Sequence, residues 1–192
     1  LSDFVLIAQV ISEKALVPVV VLADVEATET AINLPNKKEL ASWFGDNDGR
    51  VPDPTPAQTM VLGKMRRRMP GWIQNDNPVM IGAQKNHHDR VFEVAAQQQF
   101  DHAHIQHICN ETLAQFAALT QRKYEAFTQY GEQKMRNAVI TTAHAANGFA
   151  ELLLTHNVAK NKVALFTLHQ LWPISLPADV NISKLERLLV LE

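Results

Sequence analysis

Six histidines and acids invite a metal reading before anything else in this chain. His102, His104 and His107 fall within six positions, beside Cys109 and Glu111, with His87 and His88 a little upstream. On a helix His104, His107 and Glu111 share one face at i, i+3 and i+7. Two imidazoles and a carboxylate there could hold one divalent ion and leave a position open for water or substrate. The His-Glu-x-x-His spacing of metalloproteases is absent, so the preferred reading is a polar helix face, with these residues kept as the metal candidates.

A second acidic group, Asp24, Glu26 and Glu29 with Thr28 between them, follows an apolar run. At the carboxyl end of a strand such a cluster could do acid–base work or hold Mg²⁺. No partner base is identifiable, so the preferred reading is a loop in which Asp24 accepts backbone N–H groups. Asp24, Glu26 and Thr28 remain the cofactor-site candidates. Ser175 and Ser183 lack the strained turn that exposes a nucleophilic serine, and no residue is assigned as catalytic. The basic run Lys64-Met65-Arg66-Arg67-Arg68 reads as the solvated side of a short helix or loop rather than a phosphate site. Trp43, Trp72 and Trp172 read as core or interface anchors.

The elements that must position these groups alternate between helix and strand. Phe4–Leu16 has helical apolar spacing with Ser2 or Asp3 as N-cap. Val17–Ala23 is continuous and β-branched and reads as a buried strand. Prolines at 35, 52, 54 and 56 make the next stretch loop-rich, with one short helix at Lys37–Phe44. Thr59–Met69 reads as a helix stopped by Pro70-Gly71, Asn75–Ala83 as extended, and Val91–Phe100 as helical. A long helix is expected from Asp101 to about Gln129, ended by Tyr130-Gly131. Then come a buried strand Ala138–Thr142, a helix Ala145–His156, a strand Val163–Leu168 and a last strand Leu188–Leu191. Parallel strands need a long crossover, so these three strands form a parallel sheet, separate from that of Val17–Ala23.

Composition narrows the class. The chain has 192 residues, 46% of them hydrophobic, which allows one large domain or two small ones. A net charge of −2 without a basic face argues against nucleic-acid binding. A single cysteine permits no internal disulfide and points to a reducing compartment. No run of about 18 apolar residues is present to span a membrane. The chain opens in mid-pattern at Leu1 and closes in a strand pattern at Glu192, and the expectation is a piece of a longer polypeptide.

The order of these segments resembles the pyruvate:ferredoxin oxidoreductases and related 2-oxoacid oxidoreductases, at the junction of their first two domains. The quoted likenesses are the helix–strand–Asp24 unit; Asn75-Asp76-Asn77-Pro78-Val79-Met80-Ile81-Gly82-Ala83-Gln84-Lys85-Asn86; Leu119-Thr120-Gln121-Arg122-Lys123-Tyr124-Glu125-Ala126-Phe127-Thr128-Gln129-Tyr130-Gly131; Arg136 before its strand; and the Leu171-Trp172-Pro173 turn. The resemblance covers nearly the whole chain. It implies an α/β fold: the end of a thiamine-diphosphate-type domain (1–74), a linker with a long helix (75–135), and the start of a small parallel-sheet domain like the transketolase C-terminal domain (136–192). It implies a cytoplasmic, homo-oligomeric parent enzyme that uses thiamine diphosphate, Mg²⁺ and iron–sulfur clusters, and ferredoxin or flavodoxin as electron partner. This segment would bind none of those cofactors and would contact the neighbouring domains of its parent.

Departures from the family pattern matter. The loop after Asp24 lacks the family's Arg and His. Thr142-Ala143-His144-Ala145-Ala146 replaces a Gly-rich turn, so the backbone cannot approach a pyrophosphate closely and the turn is no dinucleotide site. The alternative readings are a non-catalytic oxidoreductase-like module within another redox enzyme, such as a sulfite reductase-type protein, or an assembly module.

Overall fold

The structure is a computed structural model, and it describes residues 1–23, 33–45, 49–53, 55–68, 87–131, 136–156, 163–174 and 184–191. It is mixed α/β, in two compact units that divide between Arg122 and Lys123.

Among the described residues the first unit holds five α-helices, a π-helical turn and a small antiparallel strand pair. α1 (Ser2–Ala15) buries Ile7, Ala8, Val10, Ile11 and Ala15, the helical spacing read from sequence. Its N-cap is Leu1, which has no side-chain cap, rather than Ser2 or Asp3. Asp3 sits inside the first turn and pairs with Arg122, where a carboxylate also complements the helix dipole. α1 packs on α5 (Ala103–Thr120), whose Ile105, Ile108, Cys109, Leu113 and Phe116 are buried. α2 (Lys37–Phe44) falls where the sequence placed it. Asn36 and Glu39 close a reciprocal capping box. Its Trp43 donates from Nε1 to the Leu6 carbonyl at 3.3 Å. The Trp43 ring meets that of Phe116 edge-on, centroids 4.9 Å apart, so this tryptophan is a core anchor.

Four expectations for this unit are corrected. Val17–Ala23 is not a strand: it pairs with no strand among the described residues, and Val20 and Leu22 are 79% and 73% exposed. A β-branched run has strand propensity, but a strand exists only when another supplies its ladder. The expected helix Thr59–Met69 begins and ends earlier, as α3 (Pro56–Leu62), because Thr55 caps it, Pro56 opens it and Gly63 closes it. Met65–Arg67 is a strand, β2, paired antiparallel with β1 (Arg50–Pro52). Strand alternation then turns Arg66 inward between the exposed Met65 and Arg67, and Arg68 just past the strand is half-buried too, so the basic run is not simply a solvated face. Finally, the long helix does not reach Gln129. After α4 (His87–Gln97) and a π-turn at Gln98–His102, α5 ends at Thr120 with Gln121 left-handed at φ 57°.

The second unit is a four-stranded sheet in the order β3-β5-β4-β6. β3 (Phe127–Tyr130), read from sequence as helix, runs antiparallel to β5 (Val163–Leu168). Its Phe-Thr-Gln-Tyr composition suits a strand, and pairing overrides the helical pattern that precedes it. Gly131 closes β3 at φ +98°, and a Cβ there would lie 2.8 Å from the Val163 carbonyl oxygen, so the position needs glycine for both torsion and space. β4 (Asn137–Thr142) pairs parallel with β5 on one side and with β6 (Arg187–Leu191) on the other. The three-stranded parallel arrangement agrees with the sequence reading. α6 (Ala143–Thr155) is the crossover from β4 to β5, and it covers the face of Val139, Leu165 and Leu191 with Ala146 and Leu153. Ala138, Ala164 and Phe166 are buried on the opposite face. The residues Asn75–Ala83, expected to be extended, lie outside the described residues, as do Trp72, Asp76 and Asn77.

Candidate functional site

The sheet of the second unit contains a change of winding direction. From β4 the chain crosses to β5 on one side, and β6 then lies on the other side of β4. In open parallel sheets a crevice opens at such a switch, outside the carboxyl ends of the strands. The residues at those ends are therefore the ones to inspect.

They are hydroxyl-rich. Thr167 on β5 stands directly across from Thr141 on β4 and from Thr128 on β3. Side chains in register point to the same face, and this face is the one α6 covers, since Val139 and Leu165 lie two residues back. Thr141 and Thr167 are buried. Thr141 donates to the Thr142 carbonyl at 3.3 Å, whereas the buried Thr167 Oγ1 has no hydrogen-bond partner. Thr128 Oγ1 lies 3.0 Å from His169 Nε2. His169 follows β5 directly and its backbone N–H donates to the Ala126 carbonyl at 2.9 Å. Burial pushes the His169 imidazole below its ordinary range, and the Glu125 carboxylate pulls it partly back. Gln170 Nε2 donates to the Pro173 carbonyl at 2.7 Å, which fixes the turn around the cis Trp172–Pro173 bond. Trp172 itself is exposed, so it is not a core anchor.

α6 begins at this edge without a linker. Thr142 is at once the last residue of β4 and the N-cap of α6, and its hydroxyl makes no cap hydrogen bond. The first turn of any helix carries N–H groups without intrahelical acceptors and the positive end of the dipole. The edge thus offers hydroxyl and N–H donors and a half-buried imidazole whose proton affinity burial lowers.

The residues singled out from sequence lie elsewhere. Asp24, Glu26 and Thr28 are outside the described residues, so the proposed strand-end cluster has no geometry here. His104, His107 and Glu111 do share helix α5, with His107 and Glu111 exposed and Glu111 Oε1 accepting from Gln115 Nε2 at 2.8 Å. Among the described residues no group of three or more histidines, cysteines and acids is placed to hold a metal ion. Cys109 is buried in the α5 core, where desolvation pushes its thiol up to about 11. Sequence reading missed the threonine row. Its one signal was Thr141-Thr142, two polar β-branched residues between an apolar strand and an Ala-rich helix.

Among the described residues no helix is long and apolar enough to cross a membrane. Neither the protein-family models nor the curated proteins contain a match to this chain.

Proposed function

We propose that the chain is a segment of a thiamine-dependent 2-oxoacid oxidoreductase, with a structural, domain-contacting role and no catalysis of its own. The observation that carries this reading is the ordered series of family-like segments, above all Leu119–Gly131, Arg136 before β4, and Leu171-Trp172-Pro173 after β5. The parallel trio β5-β4-β6 supports it, because a transketolase C-terminal-like domain opens with such a unit. Thiamine diphosphate, Mg²⁺ and iron–sulfur clusters would be held by other parts of the parent. That parent would be a cytoplasmic homo-oligomer exchanging electrons with ferredoxin or flavodoxin.

A second reading is an oxidoreductase-like module that has lost catalysis inside another redox enzyme of the sulfite reductase type. The loop Asp24–Thr30, which lacks the family's Arg and His, favours it. The two are separated by assaying the product of the whole gene for pyruvate-dependent reduction of a viologen dye, with bound thiamine diphosphate measured on the same sample. Turnover with bound cofactor supports the first reading. Cofactor-free protein without turnover sinks it and leaves the second. The 192-residue chain alone is expected to give no heat of thiamine diphosphate binding in the presence of Mg²⁺.

A further inference from the structure

We propose that the first turn of α6, with Thr167, forms a binding site for a single phosphate-type oxyanion. Two independent features meet there. The first is the helix end: α6 runs for 13 residues, and its N-cap Thr142 is exposed and makes no side-chain cap hydrogen bond. Its amide donors and its dipole favour an anion.

The second is Thr167, 3% exposed, with an Oγ1 that has no partner. A buried hydroxyl left unsatisfied costs stability, so one that persists calls for an occupant. Its direction follows from the packing. Ala146, at the end of the first turn, packs on Val139 and Leu165. The preceding residues Ala143–Ala145 therefore lie further toward the carboxyl edge, at the level of Thr141 and Thr167. Thr167 shares the face of Leu165, two residues along the strand, and so presents its hydroxyl toward that turn.

The donor set selects the ligand. Several amides and the Thr167 hydroxyl suit a group with three or more acceptor oxygens better than a carboxylate with two. The turn Thr142-Ala143-His144-Ala145-Ala146 has no glycine, so the backbone has no room to wrap a pyrophosphate. A terminal monophosphate of a small molecule fits both limits. This site stands or falls independently of the oxidoreductase reading, since it rests only on the second unit.

The test is a titration of the ¹⁵N-labelled full chain with inorganic phosphate at constant ionic strength, with sodium chloride as control, following the amides of Ala143–Ala146. Saturable shifts with phosphate and not with chloride are expected. Thr167→Val should weaken phosphate about five-fold, the effect of one hydrogen bond, and Thr167→Ser should stay within about two-fold of the wild type. The absence of saturable shifts, equal shifts with chloride, or unchanged affinity in Thr167→Val overturns the proposal. If Thr167→Val does not fold, unchanged affinity in Thr167→Ala overturns it instead.

Discussion

Arg66 on β2 reaches back to Asp53, just beyond β1, and holds it with Nε 2.7 Å from Oδ1 while the Asp53 side chain is wholly buried. The same guanidinium donates to the Glu13 carbonyl, and Gln58 donates to the Lys14 carbonyl at 3.3 Å, so both side chains finish the C-terminal turn of α1. Removing one partner strands a buried charge. Arg66→Met should therefore cost about 3–5 kcal/mol of unfolding free energy. The double variant Arg66→Met/Asp53→Leu should recover much of that loss. Urea denaturation of the four proteins, wild type included, checks this. Equal loss in single and double variants would show that the α1 carbonyls matter and the ion pair does not.

Gly131 is the second place where one atom decides the fold. Gly131→Ala sets a Cβ against the Val163 carbonyl at a φ that L residues rarely adopt. The loss should be about 1–3 kcal/mol and should fall on the β3–β5 pairing. Hydrogen exchange should quicken at Thr128 and Tyr130 before it quickens on α5.

Cys109 should be inert in the folded chain. With its thiol pushed up to about 11, only about one molecule in a thousand carries thiolate at pH 8. A thiol reagent should label it in urea and leave it unlabelled in native buffer over the same time. Fast native labelling would mean that α5 opens readily from α1.

His169 sets a pH dependence of known sign. Its folded-state value is lowered, so the unfolded chain binds the extra proton, and stability rises with pH through the window below the unfolded value of about 6.5. Its contribution is intact above that window and is lost as pH falls through it. The melting temperature of the wild type should drop more than that of His169→Asn between about pH 7.5 and about pH 5.5. Parallel curves for the two would exclude His169 as the titrating group.

What the sequence made legible was what local pattern controls. The strand-helix-strand order from Asn137 to Leu168, the short helix at Lys37–Phe44 and the amphipathic α1 follow from apolar spacing and caps. The failures are non-local. Val17–Ala23 has the composition of a strand but no strand neighbour among the described residues, and Phe127–Tyr130 continues a helical pattern but is captured by β5. The threonine row was hidden for the same reason: Thr128, Thr141 and Thr167 become neighbours only through strand register. The inward turn of Arg66 likewise depends on a pairing with Val51 that no window of sequence contains.

The two outer strands of the larger sheet are unlike, and that bears on symmetry. β3 is antiparallel to its neighbour, whereas β6 is parallel to its own and carries the exposed Leu188, Leu189 and Val190. Two copies joined β6 to β6 are related by a two-fold axis, and the contact closes on itself after one step. Copies joined β6 to β3 leave a fresh β6 at the end of every addition, and unless the rotation per step closes a ring such a contact grows into a filament. Whichever surface covers β6 in the assembled protein thereby decides between a finite particle and an endless one.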